Sequence, residues 1–456
     1  MKRNIMILTV TAALLSSCGI YNRYTPTGTV PADLYGFNVE QTDDSVSLGD
    51  MDWQKVFTDP HLLMLINQGL ENNTDYQSAQ LRVKEAEATL LSAKLAFLPS
   101  FALSPQGGMS SFDGSKATWT YTVPVTASWE LDIFGRMRNA KKQAQALYAQ
   151  SKDYQQAVRT QLIASIANTY YTLLMLDEQL YLSQQTAEAW KETVASARAL
   201  MNVGRYDESA VAQMEATYYS VETSVFDLQE QIIQVENSLS LLLAETPRSY
   251  ERGKLSEQVM PMDFSVGIPL RMLANRPDVR SAEHALEAAF YAENQARSNF
   301  YPSITLSGSA GWTNEAGSMI VNPGKFLGTA LGSLVQPLFN RGTNIAALKI
   351  AKAQQEETRL SFEQTLLNAG SEVNDALTAC QTSREKAELY EKQVEALRRA
   401  EQSTTLLMEH GNNTYLEVLT ARQTLLNAEL SQVANRFTEI QSVVNLYQAL
   451  GGGREK

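Results

Sequence analysis

The side chains that most often bind metals or react covalently are scarce in this chain of 456 residues. It has two cysteines, Cys18 and Cys380, and three histidines that lie far apart, His61, His284 and His410. The cysteines fit no disulfide framework or metal motif, and the histidines have no ligand spacing. No nucleophile, base and orienting partner can be assembled from motifs either. The sequence therefore predicts no catalytic residue, no metal site and no enzyme.

Cys18 differs from Cys380 in what precedes it. Lys2 and Arg3 come before the apolar run Ile5–Leu15, which is too short to span a bilayer and is typical of a secretory signal peptide. The run ends in LSSCG, the pattern of a bacterial lipobox, in which the cysteine is acylated and becomes the mature N-terminus. Gly19 favours the outer membrane over the inner by analogy with lipoprotein sorting. We predict a covalent lipid on Cys18 and no other cofactor; the alternative is an incidental cysteine after an ordinary signal peptide.

The chain is acidic, with 38 Lys and Arg against 50 Asp and Glu and a net charge of −12. Removal of residues 1–17 takes away two basic residues, so the mature charge is −14. We do not expect so acidic a protein to bind nucleic acid.

The sequence contains one pattern twice. The first copy has the motifs DYQSA, FLPS, DIFGR and VGRYDESAVAQ, and the second has DVRSA, FYPS, PLFNR and HGNNTYLEVLT in the same order. Equivalent residues lie 203 positions apart at Pro99 and Pro302 and 207 apart at Gly204 and Gly411, which indicates small insertions in loops. The predicted domains are a signal peptide at 1–17, a lipidated segment at 18–58, a first repeat at 59–250, a second repeat at 265–450 and a tail at 451–456.

Each copy reads as helix, strand, strand, long helix, tight turn and long helix. Gly and Pro are absent between Arg136 and Val203, and only Gly370 occurs between Thr343 and His410. Helices of that length reach about 100 Å. The segments after the turns repeat apolar residues at steps of three and four, which is typical of a heptad seam. These seams run from Val211 to Leu242 and from Leu416 to Tyr447. Each copy is thus predicted to form an antiparallel helical hairpin.

The stretch WTYTVPVTASWEL (119–131) alternates apolar and polar residues, so it predicts a strand with two different faces. Alone, it would suit one wall of a sandwich. We predict only four strands, however, which is too few for a sandwich or a closed barrel. Their approximate positions are Ser100–Ser110, Thr118–Leu131, Ser303–Thr313 and Phe326–Leu338.

A barrel shared by several chains would resolve this shortage of strands. Backbone groups inside a bilayer must all be paired, so membrane strands have to close on themselves. Three chains with four strands each would supply about twelve strands. Trp119 and Trp129 would then lie at the two lipid interfaces, and the Thr and Ser face would line a watery lumen.

These features together resemble the TolC-like outer-membrane efflux family, and within it the lipidated branch that serves resistance–nodulation–division (RND) pumps. The resemblance covers about Asp59 to Leu450 and rests on the lipobox, the duplication, WELDIFGR, QPLFNRG, RPDVRSAE and the VG and HG turns. It implies a mainly α fold with a small β part, in which long helical hairpins form a trimeric α-barrel that continues a shared transmembrane β-barrel with four strands per chain.

The same resemblance implies the function and the partners. The homotrimer would be the exit duct of a tripartite efflux system, lipid-anchored in the outer membrane with a periplasmic extension. It would receive substrate from a periplasmic adaptor protein and an inner-membrane RND-type pump. No bond would be made or broken.

The resemblance also implies three site residues. Gly204 and Gly411 fall at the hairpin tips, where family members meet the adaptor; a plain turn without a partner is the alternative. Family members narrow the closed entrance with acids in a pattern like IVDVLD, to which YLEVLT corresponds here. Glu417 keeps one acid, and Thr420 stands where a second could be. Three copies of Glu417 would form one carboxylate ring, the channel gate; alternatively, Glu417 is a solvated flank of the heptad seam.

Other functions remain open on sequence alone. A type I secretion duct shares the architecture, and a periplasmic coiled-coil scaffold would leave the two-faced strands unexplained. A nutrient porin is disfavoured because porins devote most of their length to strands. The sequence predicts neither the substrate nor the particular pump.

Overall fold

The computed structural model describes residues 21, 24–25, 48–111, 113–260, 275–316, 319–410 and 415–454. The chain divides into two compact units, each built from segments that are distant in sequence. The first contains Leu81–Asp153 and Arg280–Gln364, with all the strands of the described residues. The second contains the described part of Thr29–Gln80, together with Tyr154–Val279 and Thr365–Lys456. Cys18 and Gly411 lie outside the described residues.

The first repeat begins with helices that have aspartate N-caps. The side chains of Asp52 and Asp59 accept hydrogen bonds from the backbone at the first turns of α1 and α2, and Asp207 caps α5 in the same way. The elements in order are α1 (Trp53–Val56), α2 (Pro60–Asn72), α3 (Thr74–Leu95), β1 (Ser100–Leu103), β2 (Gln106–Ser110), β3 (Thr118–Leu131), α4 (Arg136–Asn202) and α5 (Glu208–Leu242).

The second repeat confirms the internal duplication. Its elements are α6 (Pro277–Ser298), β4 (Ser303–Ala316), β5 (Met319–Val335), α7 (Thr343–Glu409) and α8 (Tyr415–Ala449). Both outgoing helices, α4 and α7, have 67 residues, and both return helices, α5 and α8, have 35. In each case the equivalent helices begin 207 positions apart. The two hairpins are therefore equal in length.

The strands form one antiparallel sheet in the order β1-β3-β4-β5, with β2 also paired to β3. In the centre, Trp129 pairs with Leu306 and Val123 with Trp312. The edges formed by β1 and β2 on one side and β5 on the other have no partner strand among the described residues. Large apolar side chains of the sheet are exposed, among them Trp119, Val125, Trp129, Trp312, Phe326 and Leu331.

Three of the predicted strands have different bounds in the structure. The third extends to Ala316 rather than ending at Thr313. The first is split, because Pro105 has no N–H to donate and the chain breaks between β1 and β2. The fourth begins at Met319 rather than Phe326 and ends at Val335. Pro323 is tolerated there because β5 is an edge strand, and Gly324 N donates to the Tyr121 hydroxyl at 3.0 Å.

The DIFGR motif turns the chain from β3 into α4. Both carboxylate oxygens of Asp132 accept backbone hydrogen bonds at 2.9 Å, one from Met137 N and one from Arg138 N. Two donors at the start of a helix that have no intrahelical partner are thereby satisfied. Arg136 in turn forms an ion pair with Glu130 at the end of β3.

Buried polar groups hold the second unit together around Asp59. Its carboxylate accepts hydrogen bonds from the Tyr170 hydroxyl at 2.7 Å and from Gln258 Nε2 at 2.8 Å. Burial raises the pKa of Tyr170 well above its usual range, so the hydroxyl stays protonated and able to donate. Nearby, Arg252 pairs with both Asp177 of α4 and Glu236 of α5.

The RPDVRSAE motif begins the second repeat with a buried arginine. Arg276 donates to the Ala449 carbonyl at 2.8 Å, at the C-terminal end of α8, where a positive charge is favourable. It also forms ion pairs with Asp278 and Glu372. The ion pair with Glu372 connects the start of the second repeat to α7.

Among the described residues, no helix combines the length and the apolar character needed to cross a membrane.

Both return helices end in the same six-residue turn, but with different residues at its left-handed position. After α5 that residue is Ala244, with φ 55°, and after α8 it is Gly451, with φ 71°. The turn at Ala244 is closed by a bond from Glu245 N to Ser240 O at 2.9 Å, and the turn at Gly451 by Gly452 N to Tyr447 O at 2.9 Å.

Replacing Ala244 with Gly should therefore stabilise the protein. Glycine removes a penalty of about 1–2 kcal/mol for a left-handed non-glycine residue and loses part of it in chain entropy, so we expect a gain of about 1 kcal/mol. Chemical denaturation in detergent measures it. Gly451→Ala is the control and should destabilise, because the added Cβ would lie 3.2 Å from Pro277 Cδ. A neutral or destabilising Ala244→Gly would contradict this explanation.

Candidate gate and docking site at the hairpin tips

The tip of the first hairpin is a tight helical stop at Gly204. Gly204 N donates to Met201 O and Arg205 N to Leu200 O, both at 2.9 Å, the paired bonds of a Schellman turn. Gly204 has φ 74°, and a Cβ added there would meet nothing within 4 Å. The glycine is therefore required by the backbone conformation alone, and the surface around it is open.

The tip of the second hairpin falls on residues 411–414, so the predicted docking residue Gly411 lies outside the described residues. Its flanks are described: α7 ends at Glu409 and α8 begins at Tyr415.

Glu417 lies in the first turn of α8 and is exposed. Among the described residues, no hydrogen bond or ion pair engages its carboxylate. An acid in this place is favourable because the positive end of the helix dipole is near. Thr420, at the position of the absent second acid, donates its hydroxyl to Leu416 O at 2.8 Å. The Glu417 carboxylate is therefore exposed at the start of α8.

A cluster around Arg422 connects the two hairpins, and sequence reasoning missed it. Arg422 of α8 donates from Nε to Glu401 of α7 at 2.9 Å and from a terminal nitrogen to Thr193 Oγ1 of α4 at 2.7 Å. Its guanidinium carbon lies 5.8 Å from the centre of the buried Trp190 ring. The Arg422 and Glu401 side chains are 25% and 20% exposed, so water screens this pair less than the fully solvated ones.

Two tyrosines join the hairpins closer to the tips. The rings of Tyr206 and Tyr415 meet edge to face, with centroids 6.2 Å apart. The Tyr415 hydroxyl donates to Gln213 Oε1 at 3.1 Å, and the Tyr206 hydroxyl contacts Met408 Sδ at 3.6 Å. Each hairpin thus contributes one ring to a shared contact.

A cavity of about 330 Å³ remains between these contacts. Trp190, Met214, Tyr206 and Arg422 contribute to its wall. The Trp190 indole N–H has no acceptor among the described residues. Side chains of the two hairpins therefore do not fill the space between them completely.

The heptad prediction is confirmed in α5 and wrong at the start of α8. In α5 the buried seam residues include Val211, Met214, Val221 and Leu239. In α8 the predicted seam residue Leu416 is 53% exposed, and Val418 is buried instead at 4%. The reason is that α8 turns Val418 and Leu419 towards the first hairpin and its cavity. The polar interruption of the seam at Gln423, next to Arg422, was the signal in the sequence.

Cys380 is buried, and its thiol contacts the Ser442 hydroxyl at 3.1 Å. Within the described residues, no group of three or more His, Cys, Asp or Glu side chains could hold a metal ion.

The comparisons with known proteins agree on one family. The family model described as outer membrane efflux protein matches residues 65–245 and 268–452. The cation efflux system protein CusC of Escherichia coli is 28% identical over 88% of this chain and 88% of its own length. The toluene efflux pump outer membrane protein TtgC of Pseudomonas putida is 29% identical over 99% of this chain and 96% of its own.

A solved structure of similar fold is the open state of the MtrE outer membrane channel of Neisseria gonorrhoeae. It is 27% identical in sequence and has a TM-score of 0.85, and the alignment covers 96% of this chain and 98% of that one.

Arg422→Gln should loosen the contact between the hairpins. The variant loses the hydrogen bond to Thr193 Oγ1 and the contact with the Trp190 ring, both in the first hairpin, which together contribute about 1 kcal/mol. We expect amides at both tips to exchange hydrogen roughly fivefold faster. The control is Arg398→Gln, whose pair with Glu429 joins α7 and α8 of one hairpin. Equal acceleration in both variants would refute a link between hairpins.

Proposed function

The chain belongs to the outer membrane efflux protein family, and from this premise we propose that it is the exit duct of a tripartite efflux system. It carries substrates across the outer membrane after an inner-membrane pump has moved them to the periplasmic adaptor. The family is one of channels and transporters, and the duct itself catalyses no reaction.

The sheet supports this proposal most directly, because it has an exposed apolar face and two edges without a partner strand among the described residues. In water such a sheet would aggregate through its edges. In lipid its apolar face is stable, but the edge N–H and C=O groups must be paired by further strands. Copies of the same sheet, placed edge to edge, satisfy both conditions.

A second unpartnered surface supports the homotrimer. Tyr219, Phe226 and Ile233 of α5 are spaced by seven residues, and each is more than half exposed. Such spacing is that of a heptad seam for another helix. No helix covers this stripe among the described residues, so we assign it to a neighbouring copy. Three copies give a barrel of about twelve strands, within the range of closed membrane barrels.

The location we propose is the outer membrane, with the chain anchored by lipid on Cys18. The family description supports the membrane, and the lipobox pattern of the sequence supports the anchor. A single acyl chain binds membranes only marginally, so an anchor of this kind adds to the barrel rather than replacing it.

The substrate is selected by the pump and the adaptor in this proposal. CusC is named for cations and TtgC for toluene, although both are similar to this chain over most of its length. A duct that shares one architecture with both need only be wide and polar. The secretion duct remains the second candidate function, because the same geometry serves it.

The experiment that tests the duct combines native mass spectrometry with planar-bilayer recording on one detergent-extracted preparation. We expect a trimer that carries lipid at its N-terminus and forms small, mostly closed channels. A monomer or dimer without channel activity would overturn the duct and favour the coiled-coil scaffold. A channel-forming trimer without added lipid mass would contradict only the predicted lipid anchor on Cys18 and would leave the duct intact.

For the gate we propose that three Glu417 carboxylates face one another around the axis. A ring of carboxylates attracts cations, and the three side chains occupy part of the entrance. Glu417→Ala should raise single-channel conductance several-fold and reduce cation preference. Glu208→Ala is the matched control, because Glu208 occupies the first turn of α5 and is also exposed. Unchanged conductance and selectivity for Glu417→Ala would remove this residue from the gate.

For docking we propose that the open surface around Gly204, and the equivalent tip at Gly411, contacts the adaptor. Gly204→Asn keeps a residue that tolerates a left-handed backbone, whereas Gly204→Val does not. We expect Val, but not Asn, to abolish efflux in cells while the trimer persists in native mass spectra. Loss of the trimer in the Val variant would mark Gly204 as a structural residue instead.

A further inference from the structure

The starts of the two long outgoing helices carry an unusual distribution of charge. Residues 136–152 contain five basic side chains and no acid, and residues 336–355 contain three basic side chains and no acid. The chain as a whole has a net charge of −12. Both segments lie in the first unit, directly after strands β3 and β5. Positive charge is therefore concentrated where the chain leaves the sheet.

This distribution opposes the helix dipole. The N-terminal end of a helix is positive and favours acids, and α3, α5, α6 and α8 each have an acid in the first turn. The first turns of α4 and α7 have none. Of the basic residues, only Arg136 and Arg138 lie in a first turn, where the dipole acts. The dipole therefore does not account for the position of the others.

Most of these charges are not neutralised within the chain. Arg136 and Arg138 pair with Glu130 and Asp132 at the end of β3. The remaining six form no ion pair with a carboxylate among the described residues. Lys152 lies a further ten residues along α4, and we call the five that lie nearer the strands the basic belt: Lys141, Lys142, Arg341, Lys349 and Lys352. Two of its members lie over aromatic rings, Lys141 at 5.9 Å from the Phe97 centroid and Lys142 at 5.1 Å from the Tyr291 centroid.

Exposed apolar side chains lie immediately on the strand side of the belt. Leu338 and Phe339 are 94% and 86% exposed and precede Arg341 by three and two positions. Leu98, also exposed, follows Phe97, the ring beneath Lys141. Here large apolar side chains are followed within about two helical turns by basic ones. The same order is found at membrane interfaces, where the aliphatic stems of basic side chains lie in the apolar layer and their charges reach the headgroups.

We propose that the basic belt binds the headgroups of anionic phospholipids in the leaflet from which α4 and α7 emerge. The proposal rests on the membrane-embedded duct of the previous subsection. At 1.5 Å per residue, Lys141 lies about 8 Å into α4 and Lys352 about 14 Å into α7. Headgroups occupy about 5–7 Å on each side of a bilayer, and their field extends one Debye length, about 8 Å, beyond. All five charges lie within this range.

The lysines of α7 offer a matched test on one helix. Lys349→Gln/Lys352→Gln removes two belt charges, and Lys386→Gln/Lys392→Gln removes two exposed lysines farther along α7, in the second unit. Each basic residue near an anionic surface contributes about fivefold to binding. We expect the belt variant to lose at least fivefold of the preference for phosphatidylglycerol over phosphatidylcholine, and the control variant to keep it.

The measurement uses full-length protein in nanodiscs that contain equal parts of the two lipids. Native mass spectrometry after controlled release from the nanodisc counts the lipids that each variant retains, at low and at high salt. Channel recording in pure phosphatidylcholine bilayers runs in parallel. A wild-type protein that retains both lipids equally, or a control variant that loses as much preference as the belt variant, overturns the belt.

The parallel recordings separate this proposal from the duct. Wild-type channels without lipid preference would refute the belt and leave the duct intact, whereas absence of channels from every variant would refute the duct. If the belt variant changes ion selectivity in phosphatidylcholine without any change in lipid retention, these lysines line the lumen and the lipid site is refuted. The expected result is unchanged channels together with lost retention of phosphatidylglycerol.

Discussion

The structure depends on one constraint, which is that backbone N–H and C=O groups in an apolar medium must be paired. The sheet of one chain pairs its central strands, β3 and β4, from Thr122 to Leu131 and leaves β1, β2 and β5 with open edges among the described residues. In the proposed duct, copies of the chain stand side by side and pair these edges. The duplication follows the same logic, because a continuous wall needs neighbouring hairpins of equal length, and the two repeats have 67- and 35-residue helices in both cases.

The pattern of backbone hydrogen bonds changes where each strand passes into a helix. In the strands, hydrogen bonds run to neighbours, and in the helices they stay within one segment. At the first passage Asp132 accepts from two N–H groups of α4 that would otherwise be unpaired. The second passage has no such acid, and Asn344 instead donates to Asn299 O at 2.9 Å, which ties the start of α7 to the end of α6. The side chain at the first passage thus satisfies helix N–H groups, whereas the side chain at the second satisfies a backbone carbonyl.

Much of the fold could be predicted from the sequence because its signals are local and repeated. The absence of Gly and Pro identified α4 and α7, and the heptad steps identified α5. Contacts between distant segments were not predictable in this way. Arg422 reaches Thr193 across 229 positions, and the burial of Val418 instead of Leu416 depends on the first hairpin. The break at Pro105 shows that a local signal was also overlooked. Of the site residues, Gly204 was located by its turn, but the charge and ring contacts that connect the hairpins required coordinates.

The differences between the repeats are more informative about gating than their similarity. The equivalent helices of the two repeats begin 207 positions apart, so the repeats can be aligned by this offset. In that alignment Glu417 corresponds to the buried Ala210, and Arg422 corresponds to Glu215. Glu215 pairs with Arg198 inside its own hairpin, whereas Arg422 reaches the other hairpin. Six identical hairpins in a trimer would make six identical contacts, and none of these contacts would break more easily than the others. Because the acid and the bridging arginine belong to the second repeat alone, three hairpins of the proposed trimer differ from the other three. A gate that moves only the second hairpin needs this asymmetry.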